Sequence, residues 1–247
     1  MQIVFHSDIG KIRKNNQDYA GHFKNKKGIT LAVVCDGMGG HKAGDVASEM
    51  AVSHLGHAWE ESQLTTSEEV TKWMLKHISI ENERIVGKSN QYSDLDGMGT
   101  TLVAAALFDS EIVIANIGDS RGYLYGNDKM LQLTEDHSLV NELLKSGEIS
   151  SEAAVNHPRK NVLTRSLGVS AEIDIDIAIF PVGVENSLLL CSDGLTNMLS
   201  DNEIKEILKE PISVDLKVEK LVSLANERGG IDNITVLLAD FATREEQ

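Results

Sequence analysis

Three stretches of this chain are apolar at nearly every position: TLVAAALF, IVIANI and SLLLC. A strand in a sheet with one wet face alternates apolar and polar residues, because successive side chains point to opposite faces. Strands like these three must be covered on both faces. The first two lie within TTLVAAALFDSEIVIANIGDSRGYLYGNDKMLQLT, where FDSE and YGND supply turn chemistry and leave no room for a crossover helix. Short turns between doubly covered strands predict antiparallel sheets. A doubly wound parallel sheet would need helices alternating with strands, and the middle of the chain does not provide them.

The same pattern predicts strands over residues 2–7, 18–24, 29–35, 99–108, 111–117, 121–126, 173–180, 187–192 and 232–241. Helical periodicity covers 44–60 and 67–88 as one consecutive pair, and 201–209 with 215–228 as another. The expected class is therefore α+β: a four-layer α-β-β-α sandwich of two antiparallel sheets packed together, with helices outside each. Between about 137 and 170 the pattern gives way to short helical pieces and loop, which reads either as a flap beside a site or as a plain connection.

The 247 residues carry enough apolar content, 41%, for one large core. Only three prolines occur, and no linker, low-complexity stretch or repeat divides the chain. The expectation is one domain over 1–241 with a short tail, 242–247. The N-terminus lacks the basic start and apolar stretch of a signal peptide, and no run approaches the roughly 20 apolar residues that span a bilayer. A cytoplasmic protein without a membrane partner is expected. The formal charge of −15 argues against nucleic acid as a main ligand, since that binding depends on clustered Lys and Arg. Cys35 and Cys191 each sit inside an apolar run and read as small buried hydrophobes, and Trp59 and Trp73 read as helix packing.

Four aspartates stand at the margins of apolar strands: Asp36 after AVVC, Asp119 after IANIG, Asp193 after LLLCS and Asp232 just before the last strand. One Asp-Gly pair alone is an ordinary turn. Four acids at strand ends look like convergence, and carboxylates sharing a small volume need a compensating charge to stay ionised. Hard oxygen ligands favour magnesium or manganese, whereas zinc prefers His and Cys at spacings absent here. Two such ions about 3.5–4 Å apart activate a bridging hydroxide for in-line attack at phosphorus. Gly37, beside Asp36, allows close approach of a backbone carbonyl, and Arg13 in KIRKNNQD offers paired donors to phosphate oxygens.

RKNNQD (from Arg13), DGMGGHKAGDVAS (from Asp36), GMGTT (from Gly97), ANIGDSRGYL (from Ala115), CSDGLTNML (from Cys191) and DNITVLL (from Asp232) occur in one order. In these the chain resembles the metal-dependent protein serine/threonine phosphatases of the 2C type, in their compact bacterial form, from about Asp8 to Asp240. The resemblance implies the four-layer fold and a flap near 137–170. It implies hydrolysis of phosphoserine and phosphothreonine on proteins by a metal-bridged hydroxide, without a phosphoenzyme. Asp36 would bridge two Mn2+ or Mg2+ ions, the Gly37 carbonyl would bind one, and Asp193 and Asp232 would complete the other. Asp119, with Asp193, would hold a third, weaker ion. Arg13 would bind the phosphate, Asp18 would hold metal-bound water, and Asn233 would support its neighbouring ligand. Phosphoprotein substrates, a cognate serine/threonine kinase and a monomeric state go with this reading.

The chain departs from the family pattern at two places. Gln17 stands where many members have glutamate, which removes one carboxylate near the metals. Met38 stands where animal members carry the general-acid histidine, and a histidine recurs three positions later as His41. His41 either serves as the acid or braces the glycine turn. His137 receives no chemical role. Two rival functions keep the same residues in view: a hydrolase of small phosphate esters, and a non-catalytic regulatory module of the same fold.

Overall fold

The computed structural model describes residues 1–39, 43–155 and 157–242. Of the expected C-terminal tail, only Ala242 falls among them.

The first sheet runs in the order β1 (Gln2–Asp8), β11 (Ile234–Asp240), β10 (Ser187–Cys191), β7 (Arg121–Gly126), β8 (Lys129–Gln132). The second runs β2 (Asp18–Lys24), β3 (Thr30–Met38), β5 (Leu102–Leu107), β6 (Glu111–Ile117), β9 (Asp176–Pro181), with the short β4 (Gly99–Thr100) also paired to β3. All of these pairings are antiparallel.

The fully apolar strands are explained by what covers each face. In β3, Leu31, Val33 and Cys35 pack outward against α1 (Ala43–Glu60) and α2 (Ser67–Gln91), while Ala32 and Val34 turn inward. In β10 and β11, Leu189, Cys191, Val236 and Leu238 face α6 (Asp201–Lys209) and α7 (Val214–Glu227), while Leu188, Leu190, Leu237 and Ala239 face inward. The inward sets meet in a third apolar cluster between the sheets. Helix, sheet, sheet and helix are thus stacked with an apolar layer at each of three junctions, and the expected four-layer sandwich is the observed one. The cysteines lie on opposite outer faces, both free and buried. Trp59 and Trp73 pack edge to face at 5.1 Å between ring centroids, with Trp59 Nε1 donating to the Ile29 carbonyl.

Local signals set the helix starts. Thr66 and Glu69 form a capping box at α2, Ser200 and Glu203 form one at α6, and the Ser213 side chain caps α7. Several boundaries differ from expectation. The strand predicted over 99–108 is broken at Thr101, because its hydroxyl, instead of a regular ladder, accepts the Asp36 amide. The strand predicted from 173 begins at Asp176, and that predicted from 232 begins at Ile234. β8 was not expected; it follows a two-residue turn in which Asn127 and Asp128 both have positive φ, the geometry that closes a tight hairpin. The one-turn α5 (Asp193–Thr196) was also unforeseen.

The 137–170 segment contains α3 (Leu139–Lys145) and α4 (Ser151–Val155). Its two ends are drawn together by the Ser138–Leu163 bridge, and its return path is tied to the body by the Thr100–Leu167 bridge. Asn82 of α2 adds a further tie, accepting from the Gly168 amide and donating to the Ser170 carbonyl. Among the described residues no helix is long and apolar enough to cross a membrane.

Candidate metal centre

The alternation that builds the core also aims the acids. Ala32 and Val34 of β3 face the space between the sheets, and one more step of two places Asp36 on that same side. Asp18 is its direct cross-strand partner in β2. The inter-sheet layer therefore begins apolar and ends acidic. Asp193 enters from the start of α5, Asp119 from the β6–β7 turn and Asp232 from the loop before β11.

Arg13, Asp36, Gly37, Asp119, Asp193, Asp232 and Asn233 all line one cavity of about 350 Å3. Asp18 lies beneath them, 6% exposed. The expected site residues are thus brought together, with the exception of His41, which lies outside the described residues.

The scaffold holds the backbone of this site closely. The Asp36 amide donates to Thr101 Oγ1 at 2.9 Å, and the Asp36 carbonyl accepts from the Thr101 amide and the Thr100 hydroxyl, each at 2.9 Å. A side chain at Gly37 would have its Cβ 2.1 Å from the Gly44 carbonyl oxygen, so glycine is required for the start of α1 to lie against the strand end. At Gly194 a Cβ would fall 1.9 Å from the Asn233 carbonyl oxygen. The loop between β1 and β2 crosses from one sheet to the other and carries Arg13. Asn233 staples that loop: its Oδ1 accepts from the Gln17 amide at 2.8 Å, and its Nδ2 donates to the carbonyls of Ile9 (2.9 Å) and Asn15 (3.0 Å).

The electrostatics are those of acids without enough cations. Arg13 Nη2 donates to Asp232 Oδ2 at 2.6 Å, but Arg13 is half exposed. Asp18 Oδ2 accepts from the Ser192 hydroxyl at 2.7 Å, and Asp193 Oδ2 from Asn197 Nδ2 at 2.9 Å. The other oxygens of both residues are buried without a hydrogen-bond partner. Burial first, and then the Asp193 and Asp232 carboxylates, push Asp18 up to about 7 against hydrogen bonds from Ser192 and Thr235. Asp119 also rises to about 7, through burial and then Asp193 and Asp136. Burial and the surrounding aspartates raise Asp36 well above the carboxylate range, and burial followed by Asp232 raises Asp193. For one carboxyl, a rise from 3.8 to about 7 favours the protonated form by roughly 4 kcal/mol.

Among the described residues no group of three or more His, Cys, Asp or Glu is already drawn up as a closed ligand set. The acids line the wall of an open cavity. Orphaned carboxylate oxygens, mutual repulsion and an all-oxygen donor set fit hard divalent cations such as manganese or magnesium.

Thr100, Thr101, Ser192 and Asn197 hold the acids in place and were not singled out as site residues. The first two sit in GMGTT and the others in CSDGLTNML, so their only sequence signal was membership of those motifs. A second cavity, of about 300 Å3, adjoins the first through shared Asp119, Asp193 and Asn161, with Val140 and Leu144 of the 137–170 segment on its wall.

The chain also has relatives among known proteins. The serine/threonine phosphatase stp of Listeria innocua is 53% identical over 241 residues, covering 97% of this chain and 96% of the relative. The solved Streptococcus agalactiae serine/threonine phosphatase superposes with a TM-score of 0.93 at 43% identity, over 96% of this chain and 98% of its own. The catalytic domain of the phosphatase PstP, solved in complex with two manganese ions, matches with a TM-score of 0.85 at 33% identity, over 97% of each chain. The protein phosphatase 2C family profile matches residues 11–230, and with that span, these identities and this fold, the chain belongs to the protein phosphatase 2C family.

Proposed function

We propose that this chain is a metal-dependent phosphatase that hydrolyses phosphoserine and phosphothreonine on proteins, through one catalytic domain over residues 1–241. The observation that carries the reading is the single cavity that gathers Arg13 with Asp36, Asp119, Asp193 and Asp232. The names of its relatives, serine/threonine phosphatases at up to 53% identity over nearly the whole chain, support the substrate class.

Asp36, the Gly37 carbonyl, Asp193 and Asp232 hold two cations, manganese or magnesium, and Asp119 with Asp193 holds a third more weakly. When bound, the paired cations supply an activated water and positive charge for an in-line displacement at phosphorus. Asp18, buried below with one oxygen free of partners, orients water from beneath. Arg13 presents a planar fork of donors at the cavity rim, suited to two phosphate oxygens. Asn233 keeps the Arg13 loop in register with Asp232, so phosphate clamp and ligand are positioned together. Phosphoproteins are the substrates, and a serine/threonine kinase acting on the same proteins supplies them. The chain works as a cytoplasmic monomer.

The test is hydrolysis of a phosphothreonine peptide by the purified chain with manganese, with chelator, and as Arg13→Ala. Activity should require the cation, and the variant should lose about a hundredfold in kcat/KM, roughly 3 kcal/mol of transition-state stabilisation. Activity that survives chelation, or a strong preference for small phosphate esters over the peptide, overturns the reading.

A further inference from the structure

Asp119 sits at the tip of the β6–β7 turn, and the residues on either side of it are each fastened to something. On one side Ser120 Oγ lies 2.7 Å from Thr101 Oγ1, the same hydroxyl that accepts the Asp36 amide. On the other side, Gly118 is gripped twice by His137. The His137 amide donates to the Gly118 carbonyl at 2.9 Å, and the Gly118 amide donates back to His137 Nδ1 at 3.1 Å. Gly118 has φ +102, and a Cβ there would meet Thr101 Cγ2 at 2.6 Å, so the turn has no alternative residue and little room to relax.

The second contact fixes the tautomer. A backbone amide can only donate, so Nδ1 carries no proton and Nε2 does. Nε2 points at Asp176 Oδ2, 3.1 Å away on β9, with Arg165 Nη1 at a longer 3.4 Å, and the same Arg165 nitrogen donates to the other oxygen of Asp176 at 2.9 Å. The ring is 5% exposed. The His137 carbonyl accepts from the Thr164 amide at 2.9 Å, at the place where the two ends of the 137–170 segment meet. His137 therefore joins the base of that segment, strand β9 and the turn bearing Asp119.

We propose that His137 is a positioning residue for the Asp119 cation site: its Nδ1 and backbone amide together fix the Gly118 peptide, and through it the direction of the Asp119 carboxylate. The proposal rests on the reading of Asp119 as a ligand. Groups that bond to and orient a metal ligand from outside typically cost about 10- to 100-fold in metal affinity when removed, and His137 acts in that way on the Gly118 peptide beside Asp119.

The test is calorimetric titration of the metal-stripped whole chain with manganese, for wild type, His137→Ala, His137→Asn and Asp119→Asn. His137→Ala should weaken the weakest binding event about tenfold or more and leave the tighter ones within about twofold. His137→Asn, whose Oδ1 can accept the Gly118 amide in place of Nδ1, should recover most of that loss, which a merely structural role would not predict. A wild-type isotherm in His137→Ala, or a His137→Asn variant as impaired as His137→Ala, overturns the proposal. If Asp119→Asn keeps the weak event, the premise falls and the proposal with it. If Asp119→Asn loses it while His137→Ala does not, Asp119 stands and His137 is dismissed. A further measurement needs no variant: the wild-type protein should show a nitrogen–nitrogen scalar coupling across the hydrogen bond from the Gly118 amide to His137 Nδ1, and its absence overturns the proposal.

Discussion

Glu81 and Asp18 are both carboxylates inside the protein, at 1% and 6% exposure, and burial raises the pKa of each. They differ in what surrounds them. Glu81, on α2, accepts from His54 Nδ1 of α1 through both oxygens, at 2.9 and 3.0 Å, and from Arg84 Nη1 at 3.2 Å. Those partners oppose the upward push of burial. Asp18 has one oxygen on Ser192 and one with no partner, and the next charges around it, Asp193 and Asp232, add to the push. A buried acid is thus no signal of chemistry by itself. The informative quantity is whether the chain has provided the countercharge: at Glu81 it has, and at the end of the inter-sheet layer it has not.

The largest effect that separates the two regions should come from Asp36→Asn. It puts a neutral amide of nearly the same shape in place of a carboxyl whose ionisation burial and the neighbouring acids oppose, so metal-free Asp36→Asn should unfold at a higher temperature than metal-free wild type above neutral pH. Its manganese-dependent hydrolysis should fall by at least about a thousandfold, since losing a single oxyanion donor can already cost that much. A variant both less stable without metal and still active would place Asp36 with Glu81 as a structural acid.

The next effect is a pH dependence confined to the metal-free protein. Asp18, Asp36, Asp119 and Asp193 all have folded-state values above their ordinary ones, so the folded protein keeps protons that the unfolded chain releases. Their contribution to stability is fully present below the ordinary value of 3.8 and is lost as pH rises through about 7, where Asp18 and Asp119 ionise in the fold. Between pH 5 and 8 Asp18 and Asp119 should each cost the metal-free protein on the order of 2–3 kcal/mol of stability, and manganese should restore most of the loss at the alkaline end. Thermal unfolding at both pH values, with and without the ion, measures this. A manganese shift no larger at pH 8 than at pH 5 would mean that the acids are balanced from within, like Glu81.

This contrast also marks how far the sequence could be read. Strands apolar at every position announced two covered faces, because period-two alternation leaves no other use for them, and the four aspartates at their ends announced a shared edge. What could not be read was whatever depends on a partner distant in the chain. Thr101 breaks its strand only because Asp36 arrives opposite it. Ser192 bears on the site because Asp18, from the far end of the sequence, lies within reach of its hydroxyl. His137 gains no role from its motif, because the groups that give it one, Gly118 and Asp176, sit on its two nitrogens from other parts of the chain. Gly37 reads from the sequence as room for a backbone carbonyl to come close, and the constraint the structure adds is the Gly44 carbonyl packed against it.

The smallest effect tests the other half of the comparison. Glu81→Gln removes the charge at the inter-helix acid and keeps an acceptor for Arg84 and an amide that can face His54. Because Glu81 is raised above its ordinary 4.5, its stabilising contribution is greatest below that value and declines as pH rises through its folded one. At pH 7.5 the neutral amide escapes the cost of burying the charge but gives up charge-assisted hydrogen bonds, so the two effects should nearly cancel, leaving a stability change within about 1 kcal/mol. Acidification should then shift the balance toward wild type, whose own carboxyl becomes neutral. Hydrolysis by Glu81→Gln should stay within about twofold of wild type, and its response to manganese should be unaltered, since Glu81 is not among the residues lining the metal cavity. Unfolding at pH 4.5 and 7.5, read beside a phosphopeptide assay, measures all three. A loss of activity comparable to that of Asp36→Asn would show that the helix pair carries part of the site's charge balance, and the line drawn between an acid the chain neutralises and acids it leaves for a cation would have to be moved.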